Sequence, residues 1–193
     1  MAAGLAKPLF TIGHGAVDID TFAEYLRDAR IESLIDVRRF PGSRRHPQFG
    51  AAELSETLRG MGITYRHAED LGGRRRPLPD SPNVGLRNEG FRGYADWMLG
   101  DTFREALFRV VEESQERRTT VMCAETPWWK CHRRLISDAT VLLANTGVVH
   151  LMAAKQAAHR LTDGVAIEGG RLVYRRSAPA HPALATSRIL RRR

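Results

Sequence analysis

Two thiols, an imidazole, a carboxylate and a guanidinium stand close together in the second half of the chain. An apolar run leads to Cys123 and Glu125, and after a short loop the chain continues with Cys131, His132 and Arg133. We predict that the run is a strand and that the second group begins a helix. Reactive side chains at the carboxyl end of a strand, facing the amino end of a helix, are typical of ligand sites in open α/β sheets. The spacing therefore indicates a site but names no reaction.

Polar residues also stand at the ends of the other predicted strands. His14 follows the first strand, Asp36 and Arg38 stand at the end of the second, and His67 follows the third. The carboxyl ends of parallel strands lie along one edge of a sheet, so we expect these side chains to share one cleft with the groups described above. Because a buried carboxylate without a partner is costly, we expect Asp36 to pair with Arg38 or Arg39.

Short apolar runs alternate with helical periodicity through most of the chain. The predicted strands are 9–12, 34–37, 63–65, 119–122 and 148–152, and the last predicted helix is 131–145. Residues 71–92 form a long irregular segment, and residues 166–174 suggest a late β-hairpin. This order predicts one α/β domain, residues 1–175, with a mainly parallel, Rossmann-like three-layer sheet of about five strands. Residues 176–193 are predicted to be a basic, loosely ordered tail.

The composition favours an anionic partner. The net charge is +8, and of the 30 basic residues only Lys7, Lys130 and Lys155 are lysines. Arginine pairs bidentately with phosphate and carboxylate, although codon usage in a genome rich in G and C also favours it. The chain has neither an apolar run of about 18 residues nor a signal-peptide pattern, so we expect no membrane partner. Its two cysteines without an export signal predict a reducing compartment, the cytoplasm. The sequence does not indicate the oligomeric state.

Several known chemistries do not fit the spacing. A cysteine phosphatase needs an arginine six residues after its nucleophile, and six residues after Cys123 stands Trp129. The glycine-rich dinucleotide and P-loop patterns are absent from the sequence, as are Cys-x2-Cys and His-Glu-x2-His. A zinc site made by Cys123, Cys131 and His132 is disfavoured, because adjacent helical residues diverge by about 100°. We therefore expect no metal and no cofactor.

An anion-binding site fits the sequence better. Arg133 lies in the first turn of the predicted helix, where N–H groups and the helix dipole favour a phosphate or carboxylate. Four more arginines lie on the loop that leaves the second strand: Arg38, Arg39, Arg44 and Arg45. Arg74, Arg75 and Arg76 lie on the loop after the third strand. Trp128 and Trp129 precede the helix and offer aromatic faces for stacking a base. The alternative is that Trp128 packs as a lid over the core and that the arginines form an ordinary solvated surface.

Together these segments resemble the bacterial and archaeal family known as domain of unknown function 488, over about residues 11–151. The matching pieces are Thr11-Ile12-Gly13-His14, Ile35-Asp36-Val37-Arg38, Phe40-Pro41-Gly42-Ser43-Arg44-Arg45, Pro47-Gln48-Phe49, Tyr65, Leu71-Gly72-Gly73, Phe91, Tyr94-Ala95, Met122-Cys123-Ala124-Glu125 and Cys131-His132-Arg133. The resemblance implies an α/β domain with these residues around one cleft, Tyr94 among the ligand-binding ones, and it implies no particular activity. One departure is Gly15, where family members usually carry a small hydroxyl residue.

Three functional hypotheses follow. In the favoured one, the protein is an enzyme that acts on a nucleotide or nucleic acid, at a glycosidic or phosphate bond or at a base. Its groups would be Glu125 or Asp36 as general base or transition-state stabiliser, His14 or His132 as acid–base partner, and Arg38, Arg44 and Arg133 as phosphate clamp.

The second hypothesis is a thiol enzyme with Cys123 as nucleophile and Cys131 as resolving thiol. The helix amino end would lower the pKa of Cys131 and make it the better-placed thiolate. The third hypothesis is a non-catalytic nucleic-acid-binding module that uses only the basic loops and the tail.

Overall fold

The computed structural model describes residues 6–42, 45–153 and 155–176. Strands and helices alternate along the chain in the order β1 (Leu9–Gly13), α1 (Ile19–Asp28), β2 (Ser33–Asp36), α2 (Ala51–Gly60), β3 (Thr64–His67), α3 (Glu89–Trp97), α4 (Asp101–Glu116), β4 (Thr119–Cys123), α5 (Arg133–Ala144), β5 (Val148–Met152), β6 (Lys155–Ala158), β7 (Val165–Glu168) and β8 (Arg171–Tyr174). Short 3₁₀ turns at Pro47–Phe49, Glu69–Leu71 and Trp128–Lys130 join some of them. The α/β class predicted from the alternation is confirmed.

The central sheet has six strands in the order β3-β2-β4-β1-β5-β6. β1 to β5 are parallel, and β6 pairs with β5 in the antiparallel sense. β4 lies between β1 and β2, with Cys123 opposite Gly13 and Met122 opposite Asp36. The carboxyl ends of β1, β2 and β4 are therefore neighbours, and this order brings the polar residues that follow them to one place.

Two apolar layers cover the sheet, because alternate residues of each strand point to opposite faces. On one face, α1 and α2 pack through residues such as Phe22 and Leu54. On the other face, α3, α4 and α5 pack through residues such as Phe103 and Leu135, and Tyr174 of the hairpin β7–β8 joins this second layer. The predicted three-layer arrangement and late hairpin are both present.

Local capping explains where several helices begin and end. Asp18 accepts a hydrogen bond from the Thr21 N–H at the start of α1, and Asn88 accepts one from the Phe91 N–H at the start of α3. α5 ends at Asn145, which adopts the left-handed conformation with φ of 47°.

The structure corrects three details of the sequence prediction. The helix predicted over 131–145 begins only at Arg133, because Cys131 is extended at φ −126° and ψ 155° after the turn Trp128–Lys130. β3 reaches His67, so that residue ends the strand rather than following it. β6 was not predicted, because its mostly exposed residues show no apolar alternation. Arg44 and residues 177–193 of the predicted tail lie outside the described residues.

Candidate functional site

An open cleft of about 1070 Å³ lies at the carboxyl edge of β1, β2 and β4. The loops that follow these three strands form most of its wall. The irregular segment before α3 and the first turn of that helix complete the wall opposite. The predicted site residues that line the cleft are His14, Arg38, Arg39, Arg45, Tyr94, Cys123, Glu125, Cys131 and His132. Asp36, Trp128 and Arg133 do not line it.

His14 follows β1 and has one free nitrogen. Its side chain is almost fully buried, its ring stacks on Phe49 with centroids 4.2 Å apart, and Nδ1 donates to the Gly15 carbonyl at 2.9 Å. Nε2 is buried and has no hydrogen-bond partner among the described residues. Burial, together with the charge of Arg38, lowers the pKa of His14 from 6.5 to about 4. At neutral pH the ring is therefore uncharged and Nε2 is an unused acceptor.

Asp36 and Arg38 form a buried ion pair, which confirms the partner expected for Asp36. Arg38 donates through Nε to Oδ1 at 2.9 Å and through Nη2 to Oδ2 at 2.6 Å, and the Arg38 N–H donates to Oδ1 at 3.0 Å. The Tyr65 hydroxyl donates to Oδ2 at 2.9 Å, and burial together with Asp36 raises its pKa. The Asp36 oxygens are thus occupied by protein donors, so this carboxylate positions Arg38 at the cleft wall instead of facing a ligand.

Arg38 also connects neighbouring loops. Its Nη2 donates to the Phe49 carbonyl at 2.8 Å, and its own carbonyl accepts from His67 Nε2 at 2.7 Å. These contacts tie the loop after β2 to the end of β3 and to the turn that supports His14. The guanidinium is consequently held rigidly.

The two thiols meet at the cleft. Cys123 ends β4, Cys131 immediately precedes His132, and their sulfur atoms are 2.7 Å apart. Arg133 Nε donates to Cys123 Sγ at 2.9 Å, and Cys131 Sγ lies 3.4 Å from His132 Nδ1. Both thiols are buried and unbridged.

The surroundings of the two thiols differ. Burial and the contact with Cys131 raise the pKa of Cys123 well above its ordinary value. Burial alone would also raise the pKa of Cys131, but the hydrogen bond from Cys123 and the nearby His132 and Arg133 outweigh it and hold that pKa well below the ordinary value. The surroundings therefore favour negative charge on Cys131 over Cys123.

Arg133 lies beneath the cleft rather than in it. Its side chain is 1 % exposed, and its guanidinium donates to the Glu125 carbonyl, to the Thr126 carbonyl at 3.3 Å and to the Thr11 hydroxyl at 3.4 Å. A β-carbon on Gly13 would overlap the Glu125 carbonyl and lie 2.6 Å from Arg133 Nη2, which explains a glycine at the end of β1. Arg133 thus shapes the loop after β4, and its guanidinium is not available as the anion clamp expected from the sequence.

His132 is oriented by two contacts. Its Nε2 donates to the Val37 carbonyl at 3.0 Å, and its ring packs edge-on against Tyr94 with centroids 5.0 Å apart. The Tyr94 hydroxyl donates to the Leu71 carbonyl at 2.7 Å, so Tyr94 presents only its ring to the cleft. Because Nε2 donates to Val37, Nδ1 is the nitrogen that faces Cys131 and can take the proton of its thiol.

Cations and aromatic rings surround the cleft opening. Arg45, Arg74 and Lys130 are exposed, and Arg39 is half-buried. Phe40 is 61 % exposed and lies between guanidiniums, with its ring centroid 5.6 Å from Arg39 Cζ and 6.0 Å from Arg74 Cζ. Among the described lining residues, Glu125 is the one carboxylate, and it is exposed.

The segment that carries Arg74 is irregular, as predicted, but it is held in place. Asp96 of α3 accepts hydrogen bonds from the Leu78 N–H at 2.8 Å, the Ser81 hydroxyl at 2.6 Å and the Asn83 amide at 2.7 Å. One buried carboxylate therefore holds residues 78–83, the part of the segment between Arg74 and α3, against that helix.

Trp129, and not Trp128, is the tryptophan of the cleft. Trp129 lines it and is 47 % exposed. Trp128 stacks on the buried His150 with centroids 4.1 Å apart, as in the alternative interpretation of its packing. Phe40, Arg74 and Trp129 also line the cleft. The family resemblance implied this for the segment that contains Phe40, and the anion-binding interpretation of the sequence named the other two.

The departure at Gly15 has a local counterpart. Gly15 adopts φ of 57°, and its N–H donates to the Ala124 carbonyl at 2.9 Å. A β-carbon on residue 15 would overlap the Thr126 hydroxyl, and Thr126 lines the cleft. The neighbouring loop thus supplies a hydroxyl beside this position.

Within the described parts of the chain, no group of three or more His, Cys, Asp or Glu residues is arranged to hold a metal ion. No helix in the described residues is long and apolar enough to cross a membrane.

The family model described as "Domain of unknown function DUF488" matches residues 18–140. The matched range contains the second and fourth strand ends and both cysteines, and it excludes His14. No curated protein and no solved structure matches the chain.

Proposed function

The chain belongs to the DUF488 family, and we propose that it is an enzyme that binds a phosphate-bearing ligand, a nucleotide or nucleic acid, in the cleft. It acts there by acid–base chemistry, at a glycosidic or phosphate bond or at a base. The observation that carries the proposal is the meeting, in one cleft, of cationic side chains, exposed aromatic rings and the unpartnered Nε2 of His14.

The cations supply the phosphate clamp. Arg45, Arg74 and Lys130 are exposed at the opening, so they can reach an anion without breaking a buried ion pair. Guanidinium groups bind phosphate oxygens through two parallel hydrogen bonds. Arg38 contributes its positive charge, while Asp36 fixes its position.

The aromatic rings favour a ligand with bases. Phe40 and Trp129 are exposed beside cations, a combination that stacks a base while the cations hold its backbone. The cleft volume of about 1070 Å³ is at the upper end of the range of about 300–1,000 Å³ found for ligand pockets, so a whole nucleotide fits in it.

His14 and Glu125 are the proposed reacting groups. With a pKa of about 4, His14 is by itself a weak base. A bound phosphate would oppose the charge of Arg38 and raise that pKa, so His14 gains basicity when the ligand is present. The Glu125 carboxylate is the second acceptor at the cleft.

The cytoplasmic location stays a prediction.

Binding is tested by fluorescence anisotropy, with a labelled single-stranded DNA, an RNA of the same sequence, a duplex and a nucleoside triphosphate as probes, over a range of salt concentrations. Arg45→Gln and Arg74→Gln should each weaken binding and reduce the slope of log K against log salt by about 0.7–0.9. Arg59→Gln is the matched control, because Arg59 is an exposed arginine of α2 that does not line the cleft. Failure of all four probes to bind would refute the proposal.

Catalysis is tested separately, by mass spectrometry of the bound probes after incubation. We expect His14→Gln and Glu125→Gln to keep the dissociation constant within a fewfold and to lose product formation. Tight, salt-dependent binding with no product from any probe would refute the enzymatic part and leave a binding module.

A further inference from the structure

The cysteine pair has no part in the acid–base chemistry proposed above. Cys123 and Cys131 are the two cysteines of the whole chain, and they come from a strand end and a turn that are apart in sequence. Their sulfur atoms are nevertheless 2.7 Å apart, and both residues line the cleft. Two buried thiols that only filled the core would need neither contact with each other nor access to a cleft.

We propose that Cys123 and Cys131 form a redox-active dithiol that exchanges with small disulfides entering the cleft. Cys131 is the attacking thiolate and Cys123 the resolving thiol, the reverse of the roles predicted from the sequence. The proposal does not depend on the ligand of the proposed function.

The contacts of each sulfur support this division. Cys131 Sγ faces His132 Nδ1 at 3.4 Å, and the Val37 carbonyl orients the ring from its other side at 3.0 Å. A thiol beside a base that a third group holds in place is the usual arrangement of an activated nucleophile. Cys123 Sγ instead accepts from Arg133 Nε at 2.9 Å and from the Glu125 N–H at 3.4 Å. These two donors stabilise the negative charge on Cys123 when it attacks the mixed disulfide.

The reaction balances without a further reagent. The Cys131 thiolate attacks one sulfur of a disulfide RSSR, forms a mixed disulfide and releases RS⁻. Cys123 then loses its proton and attacks Cys131 Sγ; the protein disulfide forms and the second RS⁻ leaves. The Cys123 proton ends on one of the released thiols. Two electrons pass from the dithiol to RSSR, and a reduced dithiol returns the protein to its starting state.

The direct test incubates the native protein with oxidised glutathione, alkylates the remaining thiols and measures the intact mass. We expect a monomer that has lost two hydrogens, resists alkylation and regains both thiols after dithiothreitol. With only two cysteines in the chain, this product can be nothing but the Cys123–Cys131 bond. Native protein that keeps two free thiols, while urea-unfolded protein reacts, would show inert core cysteines and overturn the proposal.

Two variants assign the roles. Cys123→Ser should accumulate one glutathione on Cys131, since the resolving thiol is missing, whereas Cys131→Ser should stay unmodified over the same time. The opposite pattern would overturn the assignment. Neither result depends on binding of a phosphate ligand. The dithiol proposal can therefore fail while the proposed function stands, and the proposed function can fail while the dithiol proposal stands.

A third readout does not require removal of either thiol. A thiol of ordinary pKa is only a few per cent thiolate at pH 7, but a more basic thiolate is also a better nucleophile, so we expect His132→Asn to slow mixed-disulfide formation only about threefold at pH 7. The more specific sign is the pH profile. The wild-type rate should be flat above neutral pH, and the variant rate should keep rising towards about pH 9. Identical profiles would overturn the role of His132.

Discussion

Replacing Asp36 by asparagine separates the two roles that this carboxylate can have. If Asp36 were a catalytic base, the isosteric amide would remove activity and leave the free energy of unfolding nearly unchanged. The structure predicts the opposite, because both carboxylate oxygens already accept hydrogen bonds from Arg38 and Tyr65.

The magnitude follows from the contacts. Asparagine keeps an oxygen for the Arg38 N–H and Nε, but its NH₂ group would face Arg38 Nη2 and the Tyr65 hydroxyl, which are donors. Arg38 is 7 % exposed and would stay charged without a counter-ion. Removing one partner of a buried ion pair costs about 3–5 kcal/mol. Tyr65→Phe removes only one hydrogen bond to the carboxylate and should cost about 1–2 kcal/mol.

The assay is urea unfolding followed by tryptophan fluorescence. With a slope of about 2 kcal/mol per molar urea, Asp36→Asn should lower the midpoint by about 2 M. Glu125→Gln is the matched carboxylate-to-amide control: it is exposed at the same cleft and should change the stability by less than about 0.5 kcal/mol. A stability of Asp36→Asn within 1 kcal/mol of wild type, roughly the size of an ordinary surface effect, would refute the structural role of Asp36.

Three further predictions concern acid stability, the cleft loop and the tandem tryptophans. Burial lowers the pKa of His14 from 6.5 to about 4 and that of His150 to about 3, so the unfolded chain binds protons at a higher pH than the folded one. The free energy of unfolding is therefore highest above pH 6.5 and should fall by about 2 kcal/mol per histidine by pH 5. Urea midpoints that do not change with pH would contradict this. Gly13→Ala should cost about 1–3 kcal/mol in the same unfolding assay, because its methyl group would overlap the loop after β4; an unchanged midpoint would show that this loop moves freely. Trp128→Ala should lower the free energy of unfolding by about 3 kcal/mol, because the stack on His150 is lost. Trp129→Ala should leave the stability unchanged and weaken oligonucleotide binding by about 1–3 kcal/mol. The reverse result would exchange the roles of the two tryptophans.

Elements with a strong local signal were predictable. β5 is found over the predicted residues 148–152, because its apolar run is bounded by turn residues. The edge strand β6 (Lys155–Ala158) was missed, since three of its four residues are exposed and it shows no hydrophobic pattern. The start of the last helix was wrong by two residues, because the extended conformation of Cys131 depends on its contacts and not on helix propensity.

Within the site, too, some features were predictable from the sequence and others were not. The pairing of Asp36 with Arg38 was predictable, because a buried carboxylate needs a partner and the nearest arginine is two residues away. The place of Arg133 was not: an arginine in the first turn of a helix suggests an anion site, yet this one donates to Cys123 and to backbone carbonyls beneath the cleft. The tandem tryptophans likewise gave no local sign of which would face the cleft.

By itself, the sequence determined the α/β class and the reactive groups that stand at the strand ends, because hydrophobic periodicity and side-chain chemistry are local properties. Only the tertiary structure decided that β4 lies between β1 and β2, and that the loop after β4 brings Cys131 back to Cys123. It also decided that His14 Nε2 has no hydrogen-bond partner among the described residues. Strand order and the partners of each polar atom depend on long-range packing. Most buried donors and acceptors are satisfied by whichever element the fold brings beside them, however far away that element is in the chain.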